Sequence, residues 1–408
     1  MVIDPTPDRR TVLKTVGAAG VLGSINTASA EPPQQGVDDL RLFSEQPVGG
    51  ATEVVTRGTL AYVATGTGLS IVDWANRNRP ELVLDDMDVP GVAVWDVKVE
   101  GDLLAISSQG ENERGDGGDP AAIGTHFYDV SDPSDPEFLG TWTELPAGAH
   151  NHFLDGDVAY VCREAPFDDS ALKIVDVSDP TAPTLLSEWR VEDHHPELDG
   201  GAFFVHDVYV QDDLAYLAYW NAGARVLDVS DPENPVEVAG FGEAPNAPIL
   251  APPGNAHYVQ PSPDGDHVYV GAETFVTSEP GPIDVWDLTD PDAPERVTTI
   301  EAPDLPKVFR TSHNFDVTAN RLHTSWYDGG VRVYDVTDPS APEELSAYRT
   351  DDTSFWTAVS ARGFTVASDI GGGLLFLHDD RGAKSPPAFD GSRERGSGPG
   401  PEDHTRPD

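Results

Sequence analysis

A short motif returns along this chain, and it dictates most of what the chain can fold into. Leu69-Ser70-Ile71-Val72-Asp73 recurs as His126-Phe127-Tyr128-Asp129-Val130-Ser131-Asp132-Pro133, then as Leu172-Lys173-Ile174-Val175-Asp176-Val177-Ser178-Asp179-Pro180, and again as Arg225-Val226-Leu227-Asp228-Val229-Ser230-Asp231-Pro232. Residues 284–291 and 332–339 repeat it, and Leu374-Leu375-Phe376-Leu377-His378 is a degraded seventh copy with His378 in place of Asp. The spacings of that position are 56, 47, 52, 59, 48 and 43 residues. Each interval holds four short strands, which is the period of a propeller blade.

The unit around Asp228 can be read strand by strand. Asp207-Val208-Tyr209-Val210 is an inner strand, and a Gln211-Asp212-Asp213 turn leads to a second strand, Leu214 to Tyr219. Asn221-Ala222-Gly223 turns the chain into the third strand, Arg225 to Val229. Ser230-Asp231-Pro232 then closes a turn, because Asp and Ser side chains bond nearby backbone and Pro presets φ. Val236 to Phe241 is the fourth strand. Copy seven lacks this turn and any fourth strand, whereas Leu40-Arg41-Leu42-Phe43 precedes the first blade as an orphan. Closing the ring with that segment leaves no unprotected sheet edge. The expected fold is therefore all-β: a seven-bladed β-propeller of four-stranded antiparallel blades over residues 31–380, its last blade completed by an N-terminal strand.

The recurrent I/V-x-D-V-S/T-D-P-x-x-P unit resembles the LVIVD repeat family. That resemblance implies a propeller, and an exported or surface-exposed location in archaea or bacteria. It implies no uniform chemistry.

Charge narrows the function classes. Lys and Arg number 25 against 71 Asp and Glu, a formal net charge of −46. Nucleic-acid binding through phosphate neutralisation is excluded, since such a surface must be basic, and docking on anionic lipid is disfavoured. Only five lysines occur: Lys14, Lys98, Lys173, Lys307 and Lys384. High net charge keeps a chain soluble at the expense of self-repulsion. At about 1 M salt the Debye length shrinks to about 3 Å, so an acidic, Lys-poor surface suits strong brine. A single cysteine, Cys162, excludes an internal disulfide framework and a Cys-based zinc cluster. Its strand setting, Ala159-Tyr160-Val161-Cys162, reads as a packed small hydrophobe.

The ends read as address and tail. Arg9-Arg10-Thr11-Val12-Leu13-Lys14, an apolar stretch from Thr15 to Ile25 and Ala28-Ser29-Ala30 resemble a twin-arginine export signal of the haloarchaeal kind over residues 1–30. The stretch is too short to span a bilayer, which takes about 20 residues. Residues 381–408 are Gly, Pro and charge without apolar periodicity and read as a disordered tail. The expected location is extracellular or cell-surface associated.

Within a blade, the second-to-third and blade-to-blade connections share one face. All the insertions fall there: Gln109–Thr125, Arg163–Ala171 and Glu273–Pro282. Long loops on a rigid scaffold are where function usually sits. The inner strands begin at the same face with His150-Asn151-His152, His206-Asp207, His257-Tyr258 and His313-Asn314, and with Trp95-Asp96, Thr52-Glu53 and Trp356-Thr357 in the other blades. Neutral imidazole is the commonest transition-metal ligand, and carboxylates and amides orient it. His150, His152, His206, His257 and His313 are thus candidate metal ligands, with Asp96, Asp207, Asn151 and Asn314 as their supporting partners. A divalent metal at the channel mouth is the one cofactor so implied.

Register counts against a shared ring. Counted back from the first core residue of the second strand, His150 and His206 lie eight residues earlier. His313 lies nine earlier, as does His257 once the longer Ser262–Gly265 turn is discounted. The other reading is that these are repeat-derived histidines hydrogen-bonding neighbouring blades. Glu111, Glu113, Asp116 and Asp119 offer oxygen ligands for Ca²⁺ without EF-hand spacing, and a solvated acidic loop accounts for them. No HExxH, GxSxG or P-loop motif is present.

Two functions remain open. One is a non-enzymatic binding module that meets a surface protein, a glycan or a small ligand through its loop-bearing face, as a monomer without a membrane span. The other is a metal-dependent hydrolase or oxidoreductase working at the histidines.

Overall fold

The computed structural model describes residues 38–378 apart from 92, 110–122, 144–147, 164–169, 199–202, 277 and 306. The expected export signal, the polar tail and the acidic loop of Glu111, Glu113, Asp116 and Asp119 lie outside the described residues.

The described residues form seven sheets arranged as a ring of blades. Blade four has the strands Asp207–Gln211, Leu214–Ala218, Ala224–Asp228 and Val236–Phe241, antiparallel in that order, within one residue of the sequence-based reading. The seven inner strands neighbour one another around the axis, and Phe355–Ala361 of blade seven returns to Val54–Arg57 of blade one. Blades are also stitched by isolated bridges on the loop-bearing face, among them Gly66 to Val94, Gln109 to Gly148, Trp220 to Ala256 and Tyr327 to Phe355.

Each blade is sandwiched between two others, so its middle strands are buried on both faces. Leu214–Ala218 accordingly reads as an unbroken apolar run rather than an alternating one, and in Ala224–Asp228 even Arg225 is buried. The core is partitioned between neighbours. Tyr160, Leu172, Ile174 and Trp189 of blade three interlock with Val208, Leu217 and Leu227 of blade four. Cys162 is fully buried in that layer.

The repeated Asp is a turn device used twice per copy. Asp129, Asp176, Asp228, Asp287 and Asp335 each accept, through Oδ1, the backbone N–H two residues on, at 2.8–2.9 Å. The Asp of each following Asp-Pro step does the same at 3.0–3.2 Å. Hydrogen bonds from the Ser or Thr side chain and N–H hold Asp129, Asp176, Asp228, Asp287 and Asp335 below the usual carboxylate range. Asx turns of this kind specify short connections, which keeps the face opposite the insertions uniform. At Gly223 and Gly330, φ is +78° and +92°. A Cβ there would run into the carbonyls of Phe241 and Tyr348, so both hairpins require glycine.

Closure is by the N-terminal segment. Arg41–Gln46 pairs antiparallel with Gly373–His378 and supplies the missing fourth strand of blade seven. Asp38–Asp39 pairs parallel with the outer strand Glu343–Tyr348 of blade six, an addition the sequence did not announce. Between these two pairings Leu40 is 2% exposed, set among Val331, Val333, Phe355, Leu375 and Leu377. On the inner side, Val54, Val63, Val72 and Trp74 of blade one pack on Phe364, Val366, Leu374 and Phe376 of blade seven.

This arrangement makes a test. Leu40→Ala should cost about 2–5 kcal/mol, as for any well-buried leucine, whereas Leu42→Ala, on a half-exposed side chain two residues away, should stay within about 0.5 kcal/mol. Equilibrium unfolding of both variants reads this directly, and an unaffected Leu40→Ala protein would mean that the N-terminal segment is not part of the ring.

Candidate functional site at the channel mouth

The hairpin between first and second strands gives a common ruler for all seven blades. Its closing pairs are Arg57–Leu60, Glu100–Leu103, Asp155–Val158, Gln211–Leu214, Ser262–His267, Thr318–Arg321 and Ala361–Phe364. Five positions before the first member of each pair stand Thr52, Trp95, His150, His206, His257, His313 and Trp356. The register is therefore uniform, contrary to the sequence-based count. The discrepancy came from the anchor: Leu214 of blade four corresponds to Arg321 of blade six, not to the better-buried Leu322.

These residues form a collar. Ring centroids lie 4.7 Å apart for His150–His206, 4.1 Å for His206–His257, 4.6 Å for His257–His313 and 4.3 Å for His313–Trp356. Trp356 stacks on Trp95 at 5.4 Å, and Trp95 is 6.4 Å from His150, which closes the circle. Blade one contributes only the small Thr52, whose hydroxyl donates to the Ala64 carbonyl at 3.0 Å. The two indoles from its flanking blades thus meet across it. Three collar residues sit at irregularities in the ladder: the register skips between Val94 and Asp96, between Ala256 and Tyr258, and between Phe355 and Thr357. A bulge of this sort re-aims one side chain while the strand continues. Trp95, His150 and Trp356 are half-buried, while His206, His257 and His313 are buried.

The tautomer of His313 is fixed by its surroundings. Its Nδ1 lies 2.7 Å from the Trp356 carbonyl, which can only accept, so Nδ1 carries the proton. Burial is the main cause that lowers its pKa to about 3, against the opposing bond to Trp356. His313 is thus a neutral imidazole whose Nε2 lone pair lies 3.9 Å from Glu273 Oε1. His257 Nε2 is 3.3 Å from Glu273 Oε2. The Tyr327 hydroxyl donates to Glu273 Oε1 at 2.6 Å. His257, Glu273 and His313 bring one ligand atom each within 4.8 Å of one another.

One position further along each inner strand lies a polar tier: Glu53, Asp96, Asn151, Asp207, Tyr258, Asn314 and Thr357. Glu53 accepts from Asn314 Nδ2 and Thr357 Oγ1, both at 2.6 Å, ties that run between blades. Lys98 bonds Asp96 and lies 3.8 Å from Glu53. Burial by itself would raise Asp96, but Lys98 and then His152 hold it far below the usual range. Burial pushes Glu53 up, with Lys98 opposing. Asp207 is driven well above the carboxylate range, first by burial and then by Asp96 and Glu53.

The other predicted residues are placed as follows. His152 turns away from the collar: its N–H donates to Asp96 Oδ2 at 2.8 Å and its Nδ1 meets Ser107 Oγ at 2.7 Å. Asn151 donates to the His206 carbonyl at 2.7 Å and so fixes the backbone of a collar residue. His150 neighbours His206 and Gln109. Of the five candidate ligands, His257 and His313 share the three-residue cluster. Sequence reasoning missed Glu273 and Tyr327. Each follows the second strand of its blade within two residues, at the level of the collar, and that offset was the available signal. Two buried histidines off the collar are held by hydroxyl groups: His126 lies between Ser108 and Thr141, and His323 beside Thr365.

Comparisons with known proteins agree with this architecture. The LVIVD repeat model matches residues 48–87, 153–190 and 204–241, which are blades one, three and four. No curated protein matches the chain. Among solved structures, a chain of the mitotic checkpoint complex is 11% identical with a TM-score of 0.59, over 88% of this chain and 98% of that one. U3-55K is 12% identical with a TM-score of 0.56, over 84% and 98%. The computationally designed Ika8 protein is 11% identical with a TM-score of 0.53, over 83% and 100%. At such identities the likeness is one of fold alone. The chain is a seven-bladed β-propeller, three of whose blades match the LVIVD repeat model.

Proposed function

We propose that this protein is an exported binding module that captures a cationic ligand, a protonated or quaternary amine, at the channel mouth of its loop-bearing face. The observation that carries this reading is the collar, in which six of seven blades deliver an aromatic or imidazole ring to one register position. Indole faces attract cations by about 0.5–2 kcal/mol. Beneath them three carboxylates, Glu53, Asp96 and Asp207, share a single ammonium, Lys98, so the field under the collar favours positive charge. Trp95, His150 and Trp356, the half-exposed members, form the open side.

Export rests on the Arg9-Arg10 segment and the apolar stretch after it, and the acidic, Lys-poor composition suits an extracellular brine. Among the described residues no helix is long and apolar enough to cross a membrane. The second reading, metal-dependent chemistry at the histidines, draws support from the His257–Glu273–His313 cluster.

Three outcomes are expected. In calorimetric titrations with choline and spermidine as probes, the wild-type protein should bind at least one of them, and Trp356→Leu should weaken it about tenfold, the range of one cation–π contact. Absence of binding heat with both probes would sink the cation reading. In the native host, Arg9→Lys with Arg10→Lys should retain the protein inside the cell, and unchanged appearance in the medium would refute export by the twin-arginine route. Lys98→Met should cost about 3–5 kcal/mol at pH 7, because it leaves buried carboxylates uncompensated. Glu53 and Asp207 have raised pKa values in the folded protein, so they take up protons there before the unfolded chain does. The loss should therefore shrink as the pH falls towards 4, as chemical unfolding at the two pH values would reveal.

A further inference from the structure

We infer that His257, Glu273 and His313 form a binding site for one divalent transition-metal ion, with Tyr327 and the Trp356 carbonyl as its supporting partners. The site occupies the buried side of the collar and does not depend on whether the open side takes an amine.

The spacing fits such an ion. With metal–ligand bonds of about 2.0–2.2 Å, tetrahedral ligand atoms stand about 3.4 Å apart. The Nε2 of His257 and Oε2 of Glu273 are 3.3 Å apart, Nε2 of His313 and Oε1 of Glu273 are 3.9 Å apart, and all three donors lie within 4.8 Å. Side-chain shifts of up to about an ångström close the set. Two imidazoles and one carboxylate suit zinc and its first-row neighbours rather than calcium or magnesium, which prefer all-oxygen shells.

A second observation is independent of spacing. The Trp356 carbonyl holds a proton of His313 on Nδ1, so Nε2 is the nitrogen turned towards the buried carboxylate of Glu273. A nitrogen ligand atom and a carboxylate oxygen that converge in a low-dielectric setting both gain from a cation placed between them. The same carbonyl bond, and the Tyr327 hydroxyl on Glu273 Oε1, are the outer contacts that metal-bound histidines and carboxylates ordinarily make. Tyr327 bonds Oε1 of Glu273 while Oε2 faces His257, so Tyr327 orients the carboxylate and is a positioning residue. Three protein ligands leave a fourth position for water or a small anion.

The test is equilibrium dialysis of metal-stripped protein against Co²⁺ and Zn²⁺ in concentrated KCl, which screens loose binding to the acidic surface. The expected result is one ion per chain, with Co²⁺ showing the visible absorption of a tetrahedral N/O site. Glu273→Gln, nearly isosteric, should abolish the spectrum and lower affinity at least 100-fold. Tyr327→Phe should keep the spectrum with affinity reduced about 10–100-fold, as for outer-shell partners elsewhere. His195→Ala, at a surface histidine beside Glu197 and Glu237, should bind as wild type. Absence of stoichiometric uptake by the wild-type protein would overturn the inference, as would wild-type binding by a folded Glu273→Gln protein. Choline titration of the same metal-stripped samples distinguishes failure here from failure of the amine site.

Discussion

Everything in this molecule depends on blades burying both faces against their neighbours. A single blade has no core of its own: the apolar side chains of Leu214–Ala218 and Ala224–Asp228 meet blade three on one side and blade five on the other. Stability therefore accumulates only around a complete circle. The last contact, blade seven on blade one through Trp74, Phe364 and Phe376, removes the two faces that would otherwise stay wet. The N-terminal strand then covers the outer edge of blade seven, while Leu40 seals the seam between blades six and seven. A ring closed in this way has little freedom to spread, and groups placed at its axis stay where the inner strands put them.

That rigidity explains why a repeat can make a site. Gene-level repetition gives each blade an equivalent position at the mouth. What differs is the side chain placed there: threonine in blade one, tryptophan in two and seven, histidine in three to six. The collar is thus asymmetric in chemistry on a scaffold close to seven-fold in geometry. Trp95, Trp356 and His150 are half-buried, whereas His206, His257 and His313 are buried, and loops of blades four to six bind one another, as where the Phe275 N–H meets the Leu250 carbonyl and Gly281 N–H meets Thr311 Oγ1.

Much of the fold was legible because its rules are local. The Asp-x-Ser/Thr turn acts within three residues, so each copy announces its own third-to-fourth connection, and the orphan strand at Leu40–Phe43 followed from counting strands. The mouth was legible only in part. Imidazoles at strand starts were visible, but their common register was hidden by the choice of Leu214 and Leu322 as equivalent anchors. Glu273 was concealed by composition: in a chain with 71 acidic residues, one more glutamate at a loop start carries no signal until its neighbours in space are known. His152 illustrates the converse. It shares a motif with His150, yet two positions along a strand carry it down to Asp96 and Ser107.

The bond from His313 to the Trp356 carbonyl joins blade six to blade seven, and blade seven is whole only when Arg41–Gln46 has paired with Gly373–His378. The chemistry at the mouth is therefore a property of the finished molecule. A chain in which blades three to six have formed already holds the collar histidines, but the acceptor that sets the proton on His313 and the indole that stacks on Trp95 come only with blade seven, whose edge strand is Arg41–Gln46. Assembly of the site reports that blade seven has closed on blade six and on blade one.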